Sequence, residues 1–109
     1  MNGNSLRAVL FILAAGVILF SGQTVIAASQ PGETLFKQHC AACHPAGGNI
    51  INTQKTLHKK SMEANKIKTA QDIIKTMRNP GPGMTKFDAK MIPDKDARRI
   101  ADYIIATFK

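Results

Sequence analysis

The chain has 109 residues, a formal net charge of +8, five Phe, one Tyr, no Trp and two cysteines. That length holds one domain at most and a small apolar core, which excludes a multidomain enzyme. The two cysteines are three residues apart, so a bridge between them would close a tiny loop and constrain the unfolded chain very little, which argues against a disulfide scaffold.

In chain order, "MNGNSLR" carries one basic side chain, Arg7, and no acid. Ala8 to Phe20, "AVLFILAAGVILF", is an apolar run of secretory length, too short to span a bilayer comfortably. "SGQTVIAAS" then turns polar and ends in small residues. The pattern predicts a signal peptide over residues 1–28, cleaved near Ala27 or Ala28, and a domain over residues 29–109. An uncleaved anchor is the competing reading, because Val25 and Ile26 extend the apolar stretch. No cysteine lies there to carry a lipid. Cleavage would leave about eighty residues, with 14 basic and 7 acidic side chains, a net +7. A core of that size usually needs a disulfide, a metal or a bound cofactor to staple it.

Pro31 suits the start of a helix, with Ser29 as a cap and Leu35 and Phe36 turned inward. That helix is expected to run into "KQHCAACHPAGGNII", which holds Cys40, Cys43 and His44. A thioredoxin-like pair would need an α/β setting, and nothing here reads as a strand. Zinc would need four ligands, and only His39 and His58 remain as nitrogen donors, without regular spacing. The reading that uses all three residues is C-x-x-C-H, the attachment signature of a c-type haem. Two thiols must meet the vinyl groups on one edge of the porphyrin, and positions i, i+3 and i+4 share a helical face. Cys40 and Cys43 are thus the expected thioether links and His44 the proximal iron ligand. His39 is expected off that face as a solvated residue, and His58 at the surface.

From Pro45 to about Lys60 the chain reads as loop, and a short helix is expected over Ser61 to Asn65. Thr69 with Asp72 three residues on resembles a capping box opening "TAQDIIKTMR", with Ile73, Ile74 and Met77 as its apolar stripe. "NPGPG", Asn79 to Gly83, stops any helix. Pro93 opens the last helix, in which Ala97, Ile100, Ala101, Ile104 and Phe108 recur at helical spacing and Asp94 and Asp96 sit at the positive end of the dipole. The plan is all-α: three or four short helices joined by long loops, which are unfavourable in a small domain unless something fills the middle. Met62 and Met77 read as core residues. Met84 follows a rigid Pro/Gly turn that can present a thioether to a metal, and is the expected distal ligand; Met91, also in a loop, is its rival.

The mature chain resembles the class I c-type cytochromes, most closely cytochrome c6, also called cytochrome c553. The matching stretches are "GETLFKQHCAACHPAGGNII", "KTLHKKSMEAN", "GMTKF" and "IADYI". The resemblance implies the class I cytochrome c fold around one covalently attached haem c. It carries the distal iron role to Met84, and it places Gly32 and Phe36 against Tyr103 where the first and last helices cross. Thr85 stands where the family usually has proline after the axial methionine; Asp88, Ala89 and Lys90 replace small residues, and the chain is more basic than photosynthetic members.

A haem saturated by His and Met transfers single electrons across its edge, with no substrate at the iron. The expected function is therefore an exported, soluble, monomeric electron carrier and not an enzyme. The alternative is a haem with a labile sixth ligand in peroxide chemistry or gas sensing. Expected partners are redox proteins with an acidic docking patch facing Lys55, Lys59, Lys86 and Lys90, with no nucleic acid, and with membrane contact only if the leader is retained. The periplasm is the expected compartment, a thylakoid lumen-type space or a membrane anchor the alternatives.

Overall fold

The computed structural model describes residues 30–109; the leader, its cleavage point and the Ser29 cap lie outside the described residues. The described chain is four α-helices and no strand: α1 (Gly32–His39), α2 (Lys59–Ala64), α3 (Ala70–Arg78) and α4 (Asp94–Thr107), with one turn of 3₁₀ helix at Pro45–Gly47.

Each helix starts and stops for a local reason. Pro31 and Pro93 hold the N-cap positions of α1 and α4, with φ of −58° and −54°, so the ring fixes the entry torsion without costing a ladder bond. The capping box of α3 is complete: Asp72 N–H donates to Thr69 Oγ1 at 3.1 Å and Thr69 N–H donates to Asp72 Oδ2 at 2.9 Å. The Lys68 amide, then the Thr69 hydroxyl and amide, hold the Asp72 carboxyl below its ordinary value. That contribution is present above the ordinary carboxylate range and fades as pH falls through the lowered value. Asn79 ends α3 and the Pro/Gly run follows.

The core sits where α1 crosses α4 and α3 packs on α4. Leu35 and Phe36 of α1, Ile73 and Met77 of α3, and Ala97, Ile100, Ala101 and Ile104 of α4 are all buried, while Ile74 is only half-buried. The α1–α4 crossing is close because Gly32 has no side chain: a Cβ there would lie 2.9 Å from Tyr103 Cβ and against the Arg99 carbonyl. Phe36 packs on Tyr103 and Phe108 with ring centroids 5.3 and 5.4 Å apart. Phe108 was expected within the last helix; it is its C-cap, and its carbonyl accepts from Lys59 N–H at 2.9 Å, closing the chain end onto α2.

The expectation that α1 would carry the Cys/His motif as helix is corrected. The helix ends at His39, and residues 40–43 form a turn. Cys40 and Ala41 N–H both donate to the Phe36 carbonyl, at 2.8 and 3.0 Å, which is how the last helical turn closes. The short helix α2 starts at Lys59, two residues before the expected position, so Lys59 lies on a helix and not in the preceding loop.

Candidate functional site

The motif keeps helical spacing although the helix has ended, because His44 N–H donates to Cys40 O at 2.9 Å, a five-residue closure of α-helical size. Cys40, Cys43 and His44 therefore border one cavity of about 300 Å³. Cys40 is half-buried and Cys43 exposed, and both thiols are free. Before any attachment, burial pushes the Cys40 thiol up to about 11.

His44 is oriented by one contact. Its Nδ1 lies 2.7 Å from the Gly48 carbonyl oxygen. A carbonyl accepts only, so Nδ1 is the protonated nitrogen and Nε2 keeps its lone pair. A bond of this kind would fix the tautomer of an imidazole that bound a metal. The 3₁₀ turn Pro45–Gly47 makes it possible by folding the chain back, with Gly47 N–H on His44 O at 3.1 Å and Gly48 N–H on Pro45 O at 2.9 Å. Asn49 then shapes the rim: its Oδ1 accepts from Ile51 and Asn52 N–H at 2.9 and 2.8 Å, and its Nδ2 donates to Lys55 O at 2.9 Å.

Met84 borders the same cavity from the opposite loop and is half-buried. Gly83 before it has φ +90°, a conformation that side chains rarely adopt, and a Cβ there would press on Ile51 at 3.2 Å. Met91 does not border the cavity and is 53 % exposed. Of the two loop methionines, Met84 alone borders the cavity.

Two other sequence expectations change. His39, expected as a solvated residue off the motif face, is half-buried, borders the cavity and meets Phe87 edge-on at 6.2 Å. It is the last residue of α1, next to the turn that carries the motif. Met62 and Met77 are buried core residues as expected, but both also border the cavity. With Ile73 and Thr76 beside Met77, the inner face of α3 is one wall of the site. Ile73 and Met77 were in the sequence as part of an apolar stripe with Ile74; that their face was a cavity wall shared with Thr76 was not.

The donor set fits a haem. Two thiols, an imidazole with a free Nε2 and a thioether across a largely aliphatic cavity match covalent attachment plus axial ligation. They do not match a tetrahedral zinc site, and among the described residues no three His, Cys, Asp or Glu side chains converge to hold a metal ion.

The chain is similar to known proteins over most of the described residues. The family model described as cytochrome C oxidase, cbb3-type, subunit III, matches residues 27–104. The chain is 33 % identical to cytochrome c6 of Cyanidium caldarium over 90 residues, 81 % of each protein. It is 49 % identical to the solved structure of OmcF, outer membrane cytochrome F from Geobacter sulfurreducens, with a TM-score of 0.70, covering 72 % of this chain and 99 % of that one. Cytochrome c6 of the diatom Phaeodactylum tricornutum is 31 % identical, with a TM-score of 0.64, covering 69 % of this chain and 87 % of that one.

Proposed function

Because the chain belongs to the monohaem class I c-type cytochromes and is an electron-transfer protein carrying one covalently bound haem c, we propose that it is an exported carrier whose haem hangs from Cys40 and Cys43, with the iron held between His44 and Met84. The observation that carries the ligand reading is the His44 Nδ1 contact to Gly48 O at 2.7 Å, which leaves Nε2 as the free donor in a cavity whose far side bears Met84.

The bound haem supplies a one-electron couple. The chain's own residues do the rest. Cys40 and Cys43 fix the group at one edge. The Gly48 carbonyl holds His44 in one tautomer. Met84 presents a thioether, which raises the potential relative to a second nitrogen ligand. Ile73, Leu57, Ile67 and Phe87 keep the interior apolar. With His44 and Met84 both holding the iron, no position would be left there for a substrate, which separates this reading from peroxide chemistry or gas sensing. The oxidised protein is expected to show the far-red sulfur-to-iron absorption band; a spectrum without it would return the sixth position to an open or labile state. Export to the periplasm rests on the residue 1–28 leader pattern. Among the described residues no helix is long and apolar enough to cross a membrane.

The docking surface is basic. Lys55 borders the cavity, Lys86 and Lys90 are exposed in the connection between α3 and α4 that also carries Met84, and Lys59 faces a separate hollow with Lys68 and Lys109. Electron-transfer contacts are small and short-lived, so charge steering governs the encounter more than buried area. Added salt is expected to slow the bimolecular rate with an acidic redox partner, since attraction is screened beyond about 8–10 Å. Lys86→Glu is expected to slow it several-fold at low salt without moving the potential much. A stopped-flow rate that stays flat or rises with salt would show these lysines to be ordinary solubilising charge.

A further inference from the structure

We propose that Arg78 is a positioning residue for the Met84 sulfur, clamping the far end of the loop that presents it; the inference rests on Met84 being the distal ligand. Arg78 is the last residue of α3, and its side chain is only 23 % exposed. Its Nη1 donates to the Phe87 carbonyl at 2.9 Å, and its Nη2 donates to the Ile92 carbonyl at 2.9 Å and to Asp94 Oδ1 at 2.7 Å. One planar fork thus ties the end of α3 to the start of α4 and to two carbonyls of the loop between them, a geometry that a lysine ammonium cannot reproduce.

The two carbonyls are the ends of a small closed unit. Asp88 Oδ1 accepts from Lys90 and Met91 N–H, each at 2.9 Å, and Ile92 N–H returns to Asp88 O at 3.0 Å. Phe87 N–H is also spoken for, donating to Met77 O at 3.0 Å. Both backbone polar groups of Phe87 are therefore fixed to the end of α3, one through the Met77 carbonyl and one through Arg78.

Met84 sits three residues before that anchor, in a stretch with almost no hydrogen bonds of its own. From Pro80 to Lys86 the one backbone bond is Met84 N–H to Gly81 O at 3.5 Å, the outer limit of such a bond. Pro80 and Pro82 stiffen the approach to Met84, whereas Thr85 and Lys86 after it have free φ torsions. Stiffness on the N-terminal side fixes a direction only if the C-terminal side is also held, and Phe87 is where it is held. Without the Arg78 fork, the Phe87 and Ile92 carbonyls lose their donors, one of the two bonds that anchor Phe87 is gone, and the Met84 segment is held at its C-terminal side by the Met77 carbonyl alone.

The test uses the haem-loaded full chain and imidazole as a competing sixth ligand, followed by optical titration. Arg78→Met keeps the aliphatic stem and removes every donor. It is expected to bind imidazole about tenfold more tightly than wild type, the change corresponding to the net worth of one charge-assisted hydrogen bond, with a weakened far-red band. Arg78→Lys is expected to fall between the two. Ile100→Val, which trims a fully buried side chain of α4 that makes no part of the Arg78 fork, is expected to lower the unfolding midpoint and leave imidazole affinity unchanged; a rise equal to that of Arg78→Met would reduce Arg78 to general stability and overturn the inference. Wild type without the far-red band would overturn the Met84 assignment and this inference with it. Wild type with the band, and Arg78→Met with wild-type affinity and an undiminished band, would overturn this inference alone. If Arg78→Met does not accumulate in haem-loaded form, unchanged imidazole affinity in Arg78→Lys overturns it by the same criterion.

Discussion

Freed of haem by Cys40→Ala and Cys43→Ala, the chain is expected to lose most of its helical circular dichroism. The cavity is about 300 Å³, and an unfilled cavity costs about 24 cal/mol per Å³, or about 7 kcal/mol as an upper bound. A domain of about eighty residues has a net stability of about 4–12 kcal/mol, so the loss is of the same size as the whole. Water entering the open side lowers the penalty but meets Leu57, Ile67, Ile73 and Met77, which offer it no hydrogen bonds. The remaining core, where α1 and α3 pack on α4, is small for a domain of this length. A haem-free double variant with helical signal close to that of the loaded protein would show that the cofactor is a passenger and not part of the interior.

Met84→Ala is expected to abolish the far-red band and lower the reduction potential by on the order of 0.1 V or more, since axial ligands spread haem potentials over roughly 0.8 V. Met91→Ala is expected to leave both nearly unchanged. The difference follows from placement: Met84 borders the cavity and is held by a stiff turn, while Met91 is 53 % exposed and outside it. Truncating Met84 also removes its packing, so the contrast with Met91→Ala and the loss of the band carry the conclusion, not stability. The reverse pattern would move the distal role to Met91.

Much of this was legible in the residues because the signals are local. The Thr69–Asp72 capping box, the Asn79–Gly83 stop and the Pro93 start each act within a few residues, so pattern and structure agree. The α4 stripe of Ala97, Ile100, Ala101 and Ile104 is fully buried because one face of a fourteen-residue helix has only one place to go. What sequence could not give depends on tertiary closure. His39, the last residue of α1, borders the cavity, which depends on where the chain after it folds and not on local pattern. The Gly48 carbonyl that orients His44 becomes available only through the 3₁₀ turn after it. Arg78 read as one basic residue among fifteen, since its carbonyl partners lie nine and fourteen residues away in a loop without periodicity.

The most direct measurement of the central claim is the intact mass of the protein matured with the haem-attachment machinery, followed by peptide mapping. One added haem is expected, carried on a single peptide that contains Cys40, Cys43 and His44 and links through both sulfurs. An intact chain with Cys40 and Cys43 as free thiols or joined as a disulfide, and no haem mass, would contradict it.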